Sequence, residues 1–398
     1  MNIALFTETY YPEVNGVANS VFLLKGELER QGHNVYVITT TTPGAPEHEF
    51  NVFRVPSLPC FLITERRIGM FYQPRLAHII KRLDLDLIHT HTEFSLGIFG
   101  RIMAKELNLP LIHTYHTIYE DYTHYVTRGK VLDPQAKAFV RMFTKVCCNS
   151  VQRVIVPTEK VRDLLLTYHV IREMSVIPTG ISLEKFKKEQ YSAEQTRKLK
   201  EQFGISTTDR IILYLGRISP EKNLQEILEA MPEYLKGRPD VSMVIVGGGP
   251  AKEPLTRLAE ALGLREKVHF LGEQLWDRIG EFYRLGDVFV SASNSETQGL
   301  TYIEAMAAGL PVVAREDSCL EGILEHGKNG YVFHNRAELI EGLDRALEES
   351  NALALSAAAE ARAAEFSTES FATAVEKVYQ EVVEQQRQRR RTDAFVEL

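Results

Sequence analysis

Short apolar runs alternate with helical patterns along most of the chain. NIALFTET (2–9), NVYVITT (34–40), DLIHTHT (86–92), PLIHTYHT (110–117) and RVIVPT (153–158) are β-rich runs. Each is bounded by polar or turn residues, which predicts strands. Between them, Val17–Arg30 and LGIFGRIMAKEL (96–107) carry apolar positions at helical spacing. Strand and helix in repetition predict a parallel sheet wrapped by helices. A charged, helix-prone stretch, Leu183–Phe203, interrupts the rhythm, which then restarts. IILYLGR (211–217), VSMVIVGGG (241–249), KVHFLG (267–272), DVFVSAS (287–293) and PVVAR (311–315) are the strands of a second such unit. Near the end Val375, Val378, Tyr379, Val382 and Val383 form a helical stripe; the basic run Arg387–Arg391 after it is expected to fray as a tail.

The predicted division is therefore 1–182 and 183–370, with a hinge near 178–190. Sheets of this kind bind ligands at the carboxyl ends of their strands, which directs attention to the loops after each apolar run.

Composition narrows the class. At 398 residues, 44% hydrophobic and 25% charged, the chain has the make-up of a globular protein with room for two domains. Met1–Tyr10 carries Glu8 and no preceding positive charge, unlike a secretory signal, and no apolar run approaches the roughly 18 residues of a membrane span. A cytoplasmic location is expected, on the inner face of the cell membrane at most. The net charge of −7 hides a mildly basic first half and an acidic second half. That balance argues against nucleic acid as a partner and leaves an anionic surface open to the first half. Cys60, Cys147, Cys148 and Cys319 have no metal or redox spacing and read as reduced core thiols.

SETQGLTYIEAMAAG (295–309) places Glu296 and Glu304 on either side of a Gly-Leu-Thr step where a polar loop turns into a helix. The amides of Gly299, Leu300 and Thr301, at a helix start, would form an anion site. Gly299 lets an oxygen approach the backbone. Glu304, one turn in, could accept hydrogen bonds from sugar hydroxyls, and Glu296 could reach a second polyol. A capping box, Thr301 through Glu304, is a purely structural alternative that the stretch alone does not exclude. LYLGRISPEKN (213–223) ends a strand at Gly216 and follows it with Arg217 and Lys222, two cations able to neutralise a diphosphate leaving group without a metal. A solvated basic turn would read the same way.

In order and spacing, GRISPEKN, VIVGGGP, SETQGLTYIEAMAAGLPVVA and GKNGYVF resemble the family 4 retaining glycosyltransferases, and TETYYPEVNGVANSV and LIHTYHTIYEDY extend the resemblance over nearly the whole chain. The resemblance implies the GT-B form of the α/β class: two facing Rossmann-like doubly wound domains with a C-terminal crossover helix, about 371–390, returning to the first. It implies a nucleotide-sugar donor, no metal and no other cofactor. It assigns Arg217 and Lys222 to the diphosphate, Glu304 to the ribose and Glu296 to the donor sugar's hydroxyls. Gly299, Leu300 and Thr301 become the phosphate cradle, His116 lies near the transferred sugar, and Gly16 lets the first loop approach it.

Other signals weigh less. VIVGGGPAKEP lacks the third glycine of a dinucleotide fingerprint and reads as a sharp turn. His89, His91, His113 and His116 fall at two strand ends without an evident carboxylate partner, so polar residues facing a cleft describe them better than zinc ligands.

For the acceptor, Ala136, Phe139, Val140, Phe143, Val146 and Cys147 make one helical face, opposite Lys137, Arg141 and Lys145, with Arg128 and Lys130 upstream. SLPCFLITERR sets Leu58, Phe61, Leu62 and Ile63 beside Arg66 and Arg67. Either stretch could lie on an anionic bilayer or pack on the sheet. Within family 4, the stretches SETQGLTYIEAMA, HTYHTIYEDYTHY and REDSCLEGIL are most similar to bacterial enzymes that glucosylate diacylglycerol. This implies transfer from UDP-glucose to that lipid at a membrane surface. A soluble sugar or inositol phosphate acceptor, a carboxylate-pair glycoside hydrolase and a non-catalytic nucleotide-sugar sensor are the alternatives.

Overall fold

The computed structural model describes residues 1–13, 15–59, 67–122 and 133–396. Met1–Gly180 together with Thr368–Leu398 form one compact unit, and Ile181–Ser367 form the other. Each is an α/β unit of the Rossmann type.

The first unit is built on strands β1 (Asn2–Phe6), β2 (Asn34–Thr40), β3 (Val52–Val55), β6 (Leu87–Thr90), β7 (Leu111–Thr114), β8 (Arg153–Val156) and β9 (Met174–Val176), ordered β3-β2-β1-β6-β7-β8-β9. Every pair in it is parallel. β4 (Ser57–Pro59) and β5 (Arg67–Gly69) form a separate antiparallel pair. Alternation along β1 explains the layering, since Ala4 and Phe6 join one core and Ile3 and Leu5 the other. The second of these cores is completed by the last helix, Thr368–Val396, whose Val375, Val378, Tyr379, Val382 and Val383 are all buried.

That helix is longer than its apolar stripe. Arg387–Arg391 is helical rather than frayed, because Gln386 and Arg390 bond the Asn108 carbonyl and Arg387 pairs with Asp86 at 3.7 Å. The polar ends of neighbouring elements hold the extra turns, which a hydrophobic pattern does not reveal.

The second unit holds β10 (Arg210–Leu215), β11 (Val241–Val246), β12 (Val268–Gly272), β13 (Val288–Ser291), β14 (Val312–Arg315) and β15 (Gly330–Phe333), ordered β12-β11-β10-β13-β14-β15 and parallel throughout. All six residues of β11 are buried, as expected for a parallel strand covered by helices on both faces. Ile211, Leu213 and Leu215 enter one core while Ile212 and Tyr214 enter the other. The order reverses at β10, flanked by β11 and β13, and an open sheet of this kind presents its ligand crevice at that switch point. In the first sheet β1, between β2 and β6, holds the equivalent place. Among the described residues no helix is long and apolar enough to cross a membrane.

Candidate active site

The switch point of the second unit gathers the residues singled out after β10 and β13. Gly216–Ile218 runs against the glycine run that follows β11. Ile218 N–H donates to the Gly248 carbonyl at 2.7 Å and Gly216 N–H to that of Val246 at 3.0 Å. A Cβ at Gly247 would collide with the Gly216 carbonyl, and one at Gly249 with that of Ile218. The turn expected at VIVGGGP thus has a second purpose: it lets two backbones touch and fixes the loop carrying Arg217. The Tyr214 hydroxyl donates to the Arg217 carbonyl at 2.7 Å, anchoring the same loop from within the core.

Lys222 ends a short 3-10 turn, Pro220–Lys222, closed by Asn223 in the left-handed conformation. Its ammonium lies 2.6 Å from Glu296 Oε1, both side chains being largely buried. Asn294 N–H also donates to the Glu221 carbonyl at 3.0 Å, so the loops after β10 and β13 are joined twice. Two residues far apart in sequence, one assigned to diphosphate and one to sugar, are therefore direct neighbours.

The helix after β13 spans Leu300–Ala307 and its N-cap is Gly299, at φ +74 and ψ +51. Glycine is favoured there twice over: the backbone is left-handed, and a Cβ would strike the Tyr302 ring. Tyr302 is fixed by a 3.0 Å hydrogen bond between its hydroxyl and Ser291 Oγ. The capping-box reading fails here, because Thr301 lies inside the helix and no side chain caps its start. First-turn amides without an intrahelical acceptor and with no capping side chain are suited to an anion.

Glu304 is bound elsewhere as well. It accepts a 2.7 Å hydrogen bond from the Tyr283 hydroxyl, and burial pushes its carboxyl up to about 7, against the opposing pull of that bond and of Lys185. Lys185 lies over the Trp276 ring, 3.0 Å from its centroid, and burial brings its ammonium down to about 8. Neither Tyr283 nor Lys185 carries a sequence signal, since a tyrosine in an apolar helix and a lysine in a charged stretch are ordinary.

The carboxyl edge of the first unit is made differently. Gly16 opens the helix Gly16–Arg30, whose N-cap Asn15 accepts from Ala18 N–H at 2.9 Å while its amide donates to Thr9 Oγ1 at 2.7 Å. Three of the four histidines do not face a cleft: His89, His91 and His113 are buried and knit to their neighbours, whereas His116 is half-buried. His89 meets the Tyr379 hydroxyl at 2.6 Å and Thr114 Oγ1 at 2.7 Å. His113 meets Thr90 Oγ1 at 2.9 Å and Glu93 Oε1 at 3.2 Å, and Glu93 also accepts from the Tyr119 hydroxyl. The carboxylate partner not evident in the sequence is thus Glu93, two residues after His91. His91 Nδ1 and His116 Nε2 are 3.1 Å apart, with the ring planes inclined by 24°. Burial holds His89, His91 and His113 below the usual imidazole range, so they are neutral.

Glu8, just past β1, was also without a sequence signal beyond its polarity. Its Oε1 accepts from Leu96 N–H and Ser95 Oγ at the start of the helix Ser95–Glu106, and burial raises its pKa. It caps a helix whose own N-cap, Phe94, offers no side-chain acceptor. Among the described residues no cluster of three or more His, Cys, Asp or Glu could hold a metal ion. Cys147, Cys148 and Cys319 are buried, and Cys60 lies outside the described residues.

The helix that could either lie on a bilayer or pack on the sheet runs from Asp133 to Asn149. Its apolar face is only partly covered: Cys147 is buried and Phe143 half-buried, while Phe139, Met142 and Val146 along one flank are 56–62% exposed. A six-residue stripe is wider than the contact this helix makes with its sheet, so its flank is left in solvent. Ile171, 84% exposed, lies beyond the helix end, tied to Asn149 by a 2.9 Å hydrogen bond. Of the other stretch, Leu58 is exposed; Phe61, Leu62, Ile63 and Arg66, like Arg128 and Lys130, lie outside the described residues.

Comparison with known proteins follows the same division. Residues 14–185 match the family described as Glycosyltransferase Family 4, and residues 195–364 that described as Glycosyl transferases group 1. The alpha-monoglucosyldiacylglycerol synthase of Streptococcus pneumoniae is 40% identical over 348 residues, covering 87% of this chain and 78% of the relative. That of Acholeplasma laidlawii is 34% identical over 390 residues, covering 96% and 98%. Among solved structures, Anabaena HepE in complex with UDP superimposes with a TM-score of 0.74 at 19% identity, over 96% of this chain and 100% of that one.

Proposed function

The chain belongs to glycosyltransferase family 4, and on that premise we propose that it transfers glucose from UDP-glucose to diacylglycerol with retention of configuration, forming α-monoglucosyldiacylglycerol at a membrane surface. The observation that carries the reading is the glycine-capped start of the helix Leu300–Ala307, in the same loop cluster as the Lys222–Glu296 pair. Amides without capping partners and a held cation suit a pyrophosphate.

Chemistry follows from that arrangement. Cleavage of the sugar–phosphate bond builds negative charge on the departing diphosphate, so cations and amides already in place stabilise the transition state more than the ground state. In this reading Arg217 and Lys222 take the diphosphate, and no metal is required. Glu304 accepts the ribose hydroxyls, and Glu296, sharing Lys222, turns to hydroxyls of the sugar. His116 and Gly16 serve the transferred sugar. The acceptor hydroxyl enters on the face the phosphate leaves, with the phosphate oxygen as its base.

The lipid acceptor is supported by the two synthases named above and by the exposed Phe139, Met142, Val146 and Ile171 beside Lys145 and Arg172. Apolar side chains dip into the headgroup boundary while each nearby cation adds about 1 kcal/mol on an anionic bilayer. The chain would then act as a peripheral protein of the inner leaflet. The test is incubation with a panel of nucleotide sugars, with and without diacylglycerol vesicles, followed by identification of product and anomer. UDP-glucose with vesicles is expected to give an α-glucosyl lipid, with chelator making no difference. Equal rates on soluble sugars would remove the lipid acceptor, and turnover of aryl glycosides without nucleotide would make the protein a hydrolase.

A further inference from the structure

The contact between His91 and His116 joins two imidazole nitrogens, which requires one N–H and one lone pair. His91 Nδ1 and His116 Nε2 are 3.1 Å apart, with the ring centroids 5.4 Å apart and the ring planes inclined by 24°, and the His89 ring centroid is 4.0 Å from that of His91. The other nitrogen of His91, Nε2, is buried and has no hydrogen-bond partner among the described residues. A proton there would be an orphaned buried donor, the rarer and costlier defect, whereas a bare acceptor is tolerated. Burial, with His89, His116 and His113 close by, keeps His91 from taking a second proton.

We infer that His91 is a positioning residue that carries its proton on Nδ1 and donates it to His116 Nε2, fixing His116 as the Nδ1–H tautomer. Neutral imidazole in water favours the other tautomer, so the assignment is distinctive. Its consequence rests on the transferase reading above. With Nε2 occupied as an acceptor and Nδ1 protonated, His116 has no lone pair left with which to act as a base in that transfer. That suits a transfer in which the departing phosphate takes the acceptor's proton. The residue itself is held from both sides: its backbone N–H donates to the Phe6 carbonyl at 2.8 Å, and His89 behind it is fixed by Tyr379 and Thr114.

The test begins with the unsubstituted protein labelled with 15N-histidine, His91 and His116 being assigned by the signals lost in His91→Phe and His116→Gln. Both residues should show a protonated Nδ1 and a bare Nε2 at neutral pH; a protonated Nε2 on His116 overturns the inference, whatever the variants do. In His91→Phe, which keeps a ring but no donor, His116 should revert to the Nε2–H form. Its kcat should then fall about 10-fold, the worth of one hydrogen bond, with donor KM little changed. In His91→Asn the amide nitrogen can stand where Nδ1 stood, so the tautomer and most of kcat should return. Equal losses in both variants, or a tautomer switch without change in kcat, would reduce His91 to packing. Absence of any sugar transfer would sink the transferase reading instead, while the spectra still decide the hydrogen bond.

Discussion

The carboxyl edge of the sheet around β10 and β13 and that of the sheet around β1, β6 and β7 occupy the same place in the same kind of fold, yet they are furnished with opposite materials. The first has a guanidinium, an ammonium and a glycine-capped helix start. The second has buried neutral imidazoles, hydroxyls and two interior carboxyls, Glu8 and Glu93. A site for a dianion needs charge and accessible amides, whereas a site for uncharged hydroxyls needs fixed donors and acceptors that bring little field of their own. The contrast is sharpest in how protons are held: by an exchangeable ion pair at Lys222–Glu296, and by a lattice of hydrogen bonds around His89, His91 and His113.

The most forceful way to break the comparison is to remove the charge. Arg217→Ala and Lys222→Ala should each lower kcat about 10²-fold or more while leaving the fold intact, because the lost interaction grows as the bond to phosphate breaks. Unchanged turnover in both variants would mean that the cations merely decorate a loop. Next in size is Gly299→Ala. It asks alanine to adopt φ +74 and drives a methyl into the Tyr302 ring, so the helix start must move. UDP affinity measured by calorimetry should fall about 10-fold, on the scale of 1 kcal/mol or more for a strained left-handed residue. An alanine variant binding UDP as the parent does would show that the helix start is not the cradle.

The two edges also differed in how far they could be read in advance. Alternating strands and helices, the two units and the loops bearing Arg217, Lys222, Glu296 and Gly299 follow from apolar periodicity and from glycines next to charged residues, both local signals. The Lys222–Glu296 pairing, Tyr283 on Glu304 and the packing of Gly247–Gly249 on the Arg217 loop depend on sheet order, which sets which loops become neighbours. The partners of the histidines are hidden in the sequence for the same reason: Glu93 meets His113, and Tyr379 meets His89, only when β6, β7 and the last helix come together. The split face of Asp133–Asn149 shows the limit of periodicity itself, since a stripe reveals which residues could be buried and not how wide the contact will be.

A smaller effect tests whether the charged edge also contains a tuned acid. Glu304 titrates near 7, so its carboxyl is mostly protonated at pH 6 and mostly ionised at pH 8. If it accepts two ribose hydroxyls, UDP-glucose, whose own diphosphate does not titrate in this range, should bind several-fold more tightly at pH 8 than at pH 6. The limit is about 10-fold, the change in ionised fraction over that span. Glu304→Gln should bind more weakly and show no such trend. Stability moves the other way. Between the unperturbed 4.5 and about 7 the folded protein holds a proton that the unfolded chain has released, so the protein loses stability as pH rises through that window. The glutamine variant should lack this part of the decline in thermal scans. A parent whose UDP-glucose affinity is flat with pH would place the ribose away from Glu304.

The smallest expected change lies at the neutral edge, in Tyr379→Phe. The phenol ring packs in the core at 5.6 Å from the His89 ring, and phenylalanine keeps that contact while removing the hydroxyl that meets His89 Nδ1. One buried ring nitrogen is left without its partner, a loss of about 1–3 kcal/mol in stability, read as a lowered midpoint in urea with an unchanged slope. The His89 ring also packs against that of His91, 4.0 Å between centroids, so kcat should fall too, but by less than in His91→Phe, because two rings stand between Tyr379 and His116. If Tyr379→Phe lowered kcat as far as His91→Phe did, the histidines would have to move as one body with the last helix, and the neutral edge would be a mechanical unit where the charged edge is a set of separable ligands.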